Sequence, residues 1–212
     1  DVFLKDGSQS DYQLGISTGT DKTNVYVSLG LFNEKGLFEK DELNRYSIRA
    51  NIDHKISKIF SIGTQNQITY YDQDFRNDPL TTANKLVPLE EPYDAQGNLI
   101  QVINNGRNIN PLTDVLENNW EHNSRINRVF TSAYVGVNLL DNLSFKTNLG
   151  MNLTSTREGL YAGTNTNFRN GAQPLARYIA GNSVGLNLEN ILNYNFNVNK
   201  HSFVLTGVQS LL

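Results

Sequence analysis

The stretch Asn44-Arg45-Tyr46-Ser47-Ile48-Arg49-Ala50-Asn51-Ile52-Asp53 alternates between two kinds of side chain. Tyr46, Ile48, Ala50 and Ile52 share one face of an extended chain; Arg45, Ser47, Arg49, Asn51 and Asp53 share the other. A second stretch behaves the same way. Leu143, Phe145, Thr147, Leu149, Met151 and Leu153 oppose Ser144, Lys146, Asn148, Gly150 and Asn152. Period-two patterning of this length is the signature of a β-strand whose two faces meet unlike surroundings.

Working outward from these two, the same pattern predicts strands over about 11–18, 24–32, 44–53, 59–71, 126–140, 143–155, 182–198 and 202–211. The connections after the first, third, fifth and seventh strands are tight, and those after the second, fourth and sixth are longer. All tight turns therefore fall at one end of the sheet and all longer loops at the other. Strands of about ten residues connected in this way are what a transmembrane β-barrel requires, with periplasmic turns and extracellular loops. The long loops lie at about 72–124 and 156–181. Inside the first, Leu80 to Leu86 predicts a short helix stopped by Pro88, and Tyr93 to Leu99 a small turn or hairpin.

Charge placement points the same way. Arg45, Arg49, Asp53, Arg128, Lys146 and Glu189 all fall at the parity opposite to the apolar row of their strand. A Lys or Arg facing lipid at mid-depth costs about 2–4 kcal/mol, so a lipid-facing row excludes them. The departures are Asn66 and Asn190, which interrupt apolar rows, and Gly207 and Gln209 in the last strand. Tyr12, Tyr46, Tyr70 and Phe130 fall near the long-loop ends, and Phe60, Phe145, Phe196 and Phe203 near the tight-turn ends. Two such bands are expected of interfacial aromatic girdles.

Composition removes several function classes. A formal charge of −3 over 212 residues offers no basic surface for nucleic acid. Cysteine is absent, and with it disulfides, thiol catalysis and cysteine-based zinc sites. No run of about eighteen apolar residues provides a transmembrane helix. His54 and His201 fall in predicted tight turns and His122 in a long loop, so no pair is placed for metal binding or nucleophilic catalysis. Glu90 and Glu91 are adjacent in an extended segment and point apart. No catalytic residue, metal site or cofactor is expected, and the chain does not read as an enzyme.

Several motifs then carry a family resemblance. Gly19-Thr20-Asp21-Lys22-Thr23-Asn24-Val25-Tyr26-Val27-Ser28-Leu29-Gly30, Asn33-Glu34-Lys35-Gly36 and the stretch from Arg45 to Asp53 open the series. It continues at Ala83-Asn84-Lys85-Leu86-Val87-Pro88-Leu89, Glu91-Pro92-Tyr93-Asp94, Gly97-Asn98-Leu99-Ile100 and Asn110-Pro111-Leu112. Asn148-Leu149-Gly150 and Thr206-Gly207-Val208-Gln209-Ser210 close it. In order and over nearly the whole chain, these segments resemble the SusC/RagA family, TonB-dependent outer-membrane transporters of Bacteroidetes. The resemblance implies a barrel of about 22 strands around a plug. It also implies energisation through TonB, a SusD-like surface lipoprotein as partner, and oligosaccharide or peptide ligands. Neither a plug sequence nor a TonB-contacting segment is found, so residues 1–212 read as part of the outer-membrane barrel domain beginning just after the plug. About eight strands make up roughly a third of such a barrel.

Site candidates follow from this placement. Tyr93, Arg107, Trp120 and Tyr161 lie in the long loops, where aromatic rings stack on sugars or peptides and Arg holds carboxylates. Packing of the loops on themselves is the competing role for these four. Arg45, Arg49, Asp53, Lys146 and Glu189 are expected to face the lumen, as interior ion pairs or plug contacts. Two other architectures fit the same alternation: a small closed eight-stranded outer-membrane barrel, and a soluble all-β binding domain whose apolar rows face each other.

Overall fold

The computed structural model describes residues 3–87 and 89–212. Eight long strands form one sheet: β1 (Ser8–Gly19), β2 (Thr23–Lys35), β3 (Glu42–Lys55), β4 (Phe60–Asp74), β7 (Trp120–Leu140), β8 (Leu143–Ala162), β9 (Leu175–Val198) and β10 (His201–Leu211). Between β4 and β7 lie helix α1 (Leu80–Ala83), the two-residue strands β5 (Val102–Ile103) and β6 (Asn108–Ile109), and a 3₁₀ turn at Pro111–Val115. All pairings are antiparallel and each long strand pairs with its neighbours in the order β1-β2-β3-β4-β7-β8-β9-β10. Nothing is inserted between β4 and β7 despite the long connection. Among the described residues β1 and β10 are unpaired edges, so the small closed barrel is not what forms.

Local chemistry closes the tight turns. Thr20 Oγ1 accepts from the backbone N–H of Thr23 at 3.1 Å, and Thr20 N–H donates to the Thr23 carbonyl at 2.7 Å. Ser57 Oγ accepts from the N–H groups of both Ile59 and Phe60 at 3.1 Å. Asn199 takes the left-handed conformation, with φ +57°, that the β9–β10 turn needs.

Register then sorts the two faces. Leu14, Leu29, Ile48, Ile68, Val129, Leu153 and Val184 are successive cross-strand partners in one row over seven strands. Five of its members are exposed, from 43% at Ile48 to 65% at Val184, and Val129 and Leu153 are half-buried. The parallel row on the other face reads Asn24, Asp53, Gly63, Tyr134, Asn148, Glu189 and Ser210. A sandwich would bury the apolar row against a second sheet, so the soluble reading is overturned. A continuous apolar surface of this extent marks contact with a membrane or another protein.

Asn66, Asn190 and the threonines beside Asn66 are hydrogen-bonded within the sheet. Thr131 Oγ1 donates to Asn66 Oδ1 at 2.5 Å, Asn66 Nδ2 donates to the Ala50 carbonyl at 3.3 Å, and Thr64 Oγ1 donates to the Ser132 carbonyl at 2.9 Å. Asn190 Nδ2 donates to Gln209 Oε1 at 3.3 Å. The residues that broke the alternation thus keep their hydrogen bonds inside the sheet, which is what an apolar environment demands. The lower aromatic band is a stack, with ring centroids 5.5 Å apart for Tyr194–Phe196 and 5.2 Å for Phe196–Phe203. Tyr46 and Tyr70 stack at 6.2 Å in the upper band. Phe130 does not belong to that band. It pairs in register with Gln67 on the polar face.

Three strands run further than their alternation predicts. β7 begins at Trp120, β8 continues to Ala162 and β9 starts at Leu175, so the long loops shrink from about 72–124 and 156–181 to 75–119 and 163–174. Beyond the apolar band both faces of a strand meet polar surroundings, and nothing imposes period two on the side chains. Accordingly His122 lies in β7, and His54 and His201 at strand ends, rather than in loops. The expected helix from Leu80 to Leu86 is one turn, Leu80–Ala83, while its stop at Pro88 lies outside the described residues.

On the polar face Gly63 makes room for Tyr134. A Cβ at this position would collide with the tyrosine ring, whose hydroxyl donates to Asp53 Oδ1 at 2.6 Å across the glycine. Gly63→Ala should therefore destabilise the full-length barrel by about 1–3 kcal/mol. In a Tyr134→Ser background the same substitution should cost close to nothing. Denaturant unfolding in detergent measures both, and equal costs in the two backgrounds would refute the steric account.

Candidate functional site

The buried apolar residues of the described chain cluster at the long-loop end of the sheet: Ile103, Ile109, Leu112, Trp120, Leu160 and Ala162. Trp120, Leu160 and Ala162 share the polar face of β7 and β8, and Leu175 packs against them. The loops therefore fold over the polar side of the sheet, opposite the apolar rows.

The first loop is built around Asn110. Its side chain is fully buried, donating to the Ile100 carbonyl at 2.8 Å and the Pro92 carbonyl at 3.3 Å and accepting from the Leu112 N–H at 3.0 Å. Pro111 opens the 3₁₀ turn, where its missing N–H leaves no donor unsatisfied. Asp94 organises the smaller turn, accepting from the N–H groups of Gln96 at 2.9 Å and Asn98 at 2.8 Å while Gly97 takes φ +83°. The Asn98 hydrogen bonds hold the Asp94 carboxyl below its usual range. Tyr93 and Leu99 form a bridge across this turn, as expected for a small hairpin. Glu90 accepts from the Asn104 N–H at 2.7 Å and so supports the loop.

The second loop is latched to the first. Asp114 Oδ1 accepts from the Asn167 N–H at 2.7 Å, and Asn170 Oδ1 accepts from the Ile109 N–H at 2.8 Å. Arg76 Nη2 donates to the Pro111 carbonyl at 2.9 Å, and Nη1 lies 3.9 Å from Asp114 Oδ2. Both side chains are buried, at 3% and 0% exposure. Burial pushes the Asp114 carboxyl up, against the pull of Asn167 and Arg76, and pushes the Arg76 guanidinium down. Lys40 in the β2–β3 loop reaches the Leu116 carbonyl at 3.4 Å, joining the third loop to the same block.

The four expected loop residues separate. Trp120 is buried at 5% exposure, its indole N–H donates to the Phe75 carbonyl at 2.7 Å, and Phe168 meets its ring edge-on at 5.8 Å. It packs the loops. Tyr161 is partly exposed and, with Trp120, lines an open cleft of about 1220 Å³ that carries both guanidiniums, of Arg125, Arg157 and Arg177, and carboxylates, among them Asp72 and Asp74. Tyr93 and Arg107 stand apart from this cleft, on the exposed surface of the first loop. Near the cleft, His122 Nε2 lies 3.1 Å from Glu158 Oε1, which also pairs with Arg177 Nη2 at 3.4 Å. Guanidinium and phenol groups here suit noncovalent recognition of polar ligands. Among the described residues no group of three His, Asp or Glu is placed to hold a metal ion.

All five residues expected on the lumen wall lie on the polar face by register. Asp53 accepts from Tyr134, and Lys146 Nζ stands 3.9 Å from the centre of the same ring. Arg45 lies over Phe32 and Arg49 donates to Gln67 at 2.7 Å. Glu189 pairs in register with Asn148. Arg76, Asp114 and Asn110 escaped the sequence reading as organisers, although the run Asn110-Pro111-Leu112 marked the place.

Asp114 carries the latch, so truncating it strands the Arg76 charge in the loop core. Asp114→Ala should destabilise the loop block by about 3–5 kcal/mol, with faster hydrogen exchange over residues 109–116 and 163–171. Replacing both partners by apolar residues should restore most of the protection. Unchanged exchange in Asp114→Ala would show that the pair does not hold the loops.

No family model matches this chain. Two curated relatives from Formosa agariphila cover 98% of it: TonB-dependent receptor P3 at 27% identity over 224 residues and TonB-dependent receptor P39 at 29% over 220 residues. The chain spans 22% and 20% of their lengths, about a fifth of each. Among solved structures, the RagAB peptide importer in its closed-closed state matches 98% of the chain with a TM-score of 0.73 at 19% identity. The RagAB peptide transporter matches 99% with a TM-score of 0.75 at 18% identity, and each match spans 24% of the solved chain. The relatives in sequence are receptors and the neighbours in fold are transport proteins; none is an enzyme. The open eight-stranded meander with its uncovered apolar face thus shares its fold with part of RagAB, and its sequence is similar to a stretch of two TonB-dependent receptors.

Proposed function

We propose that the complete protein imports oligosaccharides or peptides across the outer membrane of a Gram-negative bacterium, and that this chain is part of the import barrel's wall and mouth. The role is non-enzymatic. TonB supplies the energy through a part of the protein outside this chain, and a SusD-like lipoprotein works at the extracellular end. The observation that carries this reading is a latched loop block set on the polar side of a sheet whose other side is apolar and uncovered. An apolar outer face suits lipid, and a polar wall capped by structured loops suits passage of a hydrophilic ligand. The likeness to the RagAB peptide importer and to TonB-dependent receptors supports it. Loops on a rigid scaffold usually supply recognition, so Tyr93, Arg107 and Tyr161 are proposed as ligand- or lipoprotein-facing groups. Trp120 holds the block beneath them. Arg45, Arg49, Asp53, Lys146 and Glu189 are proposed to line the lumen.

Replacing residues 77–118 of the full-length protein by a short Gly-Ser linker tests the proposal. The barrel should still insert and run as a heat-modifiable band, while co-purification of the lipoprotein and growth on the nutrient that requires the intact gene should both be lost. The tight turns after β1, β3, β7 and β9 should tolerate substitution without loss of uptake. Normal growth of the loop variant would place recognition elsewhere.

A further inference from the structure

Below the loop block, the polar face holds a smaller cleft of about 250 Å³ between Tyr26 on β2 and Tyr71 on β4. Its floor is made of small residues. Gly30 and Ser47 are in-register partners, and a Cβ on Gly30 would stand 2.5 Å from Ser47 Oγ. The hollow exists because neither position carries bulk.

Two arginines stand over this floor. Arg45 and Arg49 flank Ser47 on the same face of β3, with Cα atoms about 13 Å apart along the strand, within reach of each other's guanidinium. Both are steadied from the side. The Arg45 guanidinium lies 4.6 Å from the centre of the Phe32 ring, and Arg49 Nη2 donates to Gln67 Oε1 at 2.7 Å. Arg128, in register with Thr69 on the cleft wall, lies 5.3 Å over the Tyr71 ring. Carboxylates are scarce here. Asp11 Oδ2 lies 3.7 Å from Arg45 Nη2, Glu34 stands on the same face two positions from Phe32, and Asp53 is committed to Tyr134 at 2.6 Å. Two guanidiniums, of Arg45 and Arg49, line the cleft itself, and no carboxylate is among its lining residues. Anchored by a ring face and by an amide respectively, both guanidiniums border the hollow. A planar, bidentate acceptor is the chemistry such donors match.

We propose that this cleft is a carboxylate subsite on the inner wall, holding an acidic group of the ligand between Arg45 and Arg49, with Arg128 adding charge from the neighbouring strand. The proposal rests on the import reading above and on the polar face being the lumen. The carboxylate comes from an acidic sugar or from an acidic peptide, two sources with the same recognition chemistry. Attraction of this kind weakens with salt.

The test is equilibrium binding to the purified full-length receptor in detergent. The saccharide probes are tri-galacturonate and neutral tri-galactose. The peptide probes are a hexapeptide alternating Ala and Asp and its Ala/Asn counterpart. One acidic probe should bind at least about tenfold more tightly than its neutral counterpart, the worth of one charge-assisted hydrogen bond. Which pair shows this preference identifies the source. Arg49→Gln should collapse the acidic-to-neutral ratio, and Arg49→Lys should keep part of it. Ser47→Glu, which places a carboxylate between the arginines, should abolish the preference without removing either arginine. Heat-modifiability on gels confirms that each barrel is folded. No acidic preference in the native protein overturns the subsite, as does a preference unchanged in both Arg49→Gln and Ser47→Glu. An equal fall for acidic and neutral probes also overturns it, because arginines that merely pack the wall would do the same. Loss of the preference alongside normal nutrient uptake leaves the import reading standing. Preferential binding without TonB-dependent uptake contradicts the import reading alone.

Discussion

One constraint governs this structure: a wide antiparallel sheet leaves an apolar face uncovered and must pair the amide side chains that enter it. The row from Leu14 to Val184 crosses seven strands without a polar member. Where polar residues do enter the face, as at Thr64, Asn66, Thr131, Asn190 and Gln209, they bond to one another or to the sheet's own carbonyls. In water those internal bonds would be dispensable. Against hydrocarbon they are required, since each unmatched polar group costs several kcal/mol.

Everything on the other face follows from that arrangement. Charged side chains kept off the apolar surface gather on one wall, where guanidiniums lie over rings and the Asp53 carboxylate accepts from tyrosine. Glycines at Gly30 and Gly63 let large neighbours cross the strands or leave hollows between them. The same wall continues upward into the loop core at Trp120, Leu160 and Ala162, so the loop block and the polar wall are two ends of one face. The latch between Asp114, Arg76 and the second loop fixes that surface relative to the sheet.

The alternation of polarity made the middle of each strand legible in the sequence, together with strand order, the segregation of tight turns from long loops, and the face assigned to Arg49, Lys146 and Glu189. It was silent wherever the physical cause of alternation lapses. Trp120 to Arg125, Thr156 to Ala162 and Leu175 to Gly181 are paired strand with no period-two pattern, because both of their faces lie beyond the apolar band. The loop organisers were hidden for a different reason. Arg76 and Asp114 acquire their roles from partners far along the chain, and nothing in the local sequence distinguishes a buried charge from an exposed one. Trp120 illustrates the ambiguity. An aromatic residue near a mouth serves either recognition or packing, and Trp120 is buried and bonded to Phe75 while it also borders the cleft.

The central claim, that the odd-numbered face of β8 meets lipid, is open to a direct measurement. Single cysteines introduced at positions 145 to 152 of the full-length protein, in a bilayer, would carry spin labels, and their collision rates with oxygen and with a water-soluble nickel chelate would be compared. This chain contributes no cysteine of its own to interfere. The account predicts strict alternation, with labels at Phe145, Thr147, Leu149 and Met151 favouring oxygen and those at Lys146, Asn148, Gly150 and Asn152 shielded from it. Uniform accessibility, or alternation of the opposite phase, would contradict it.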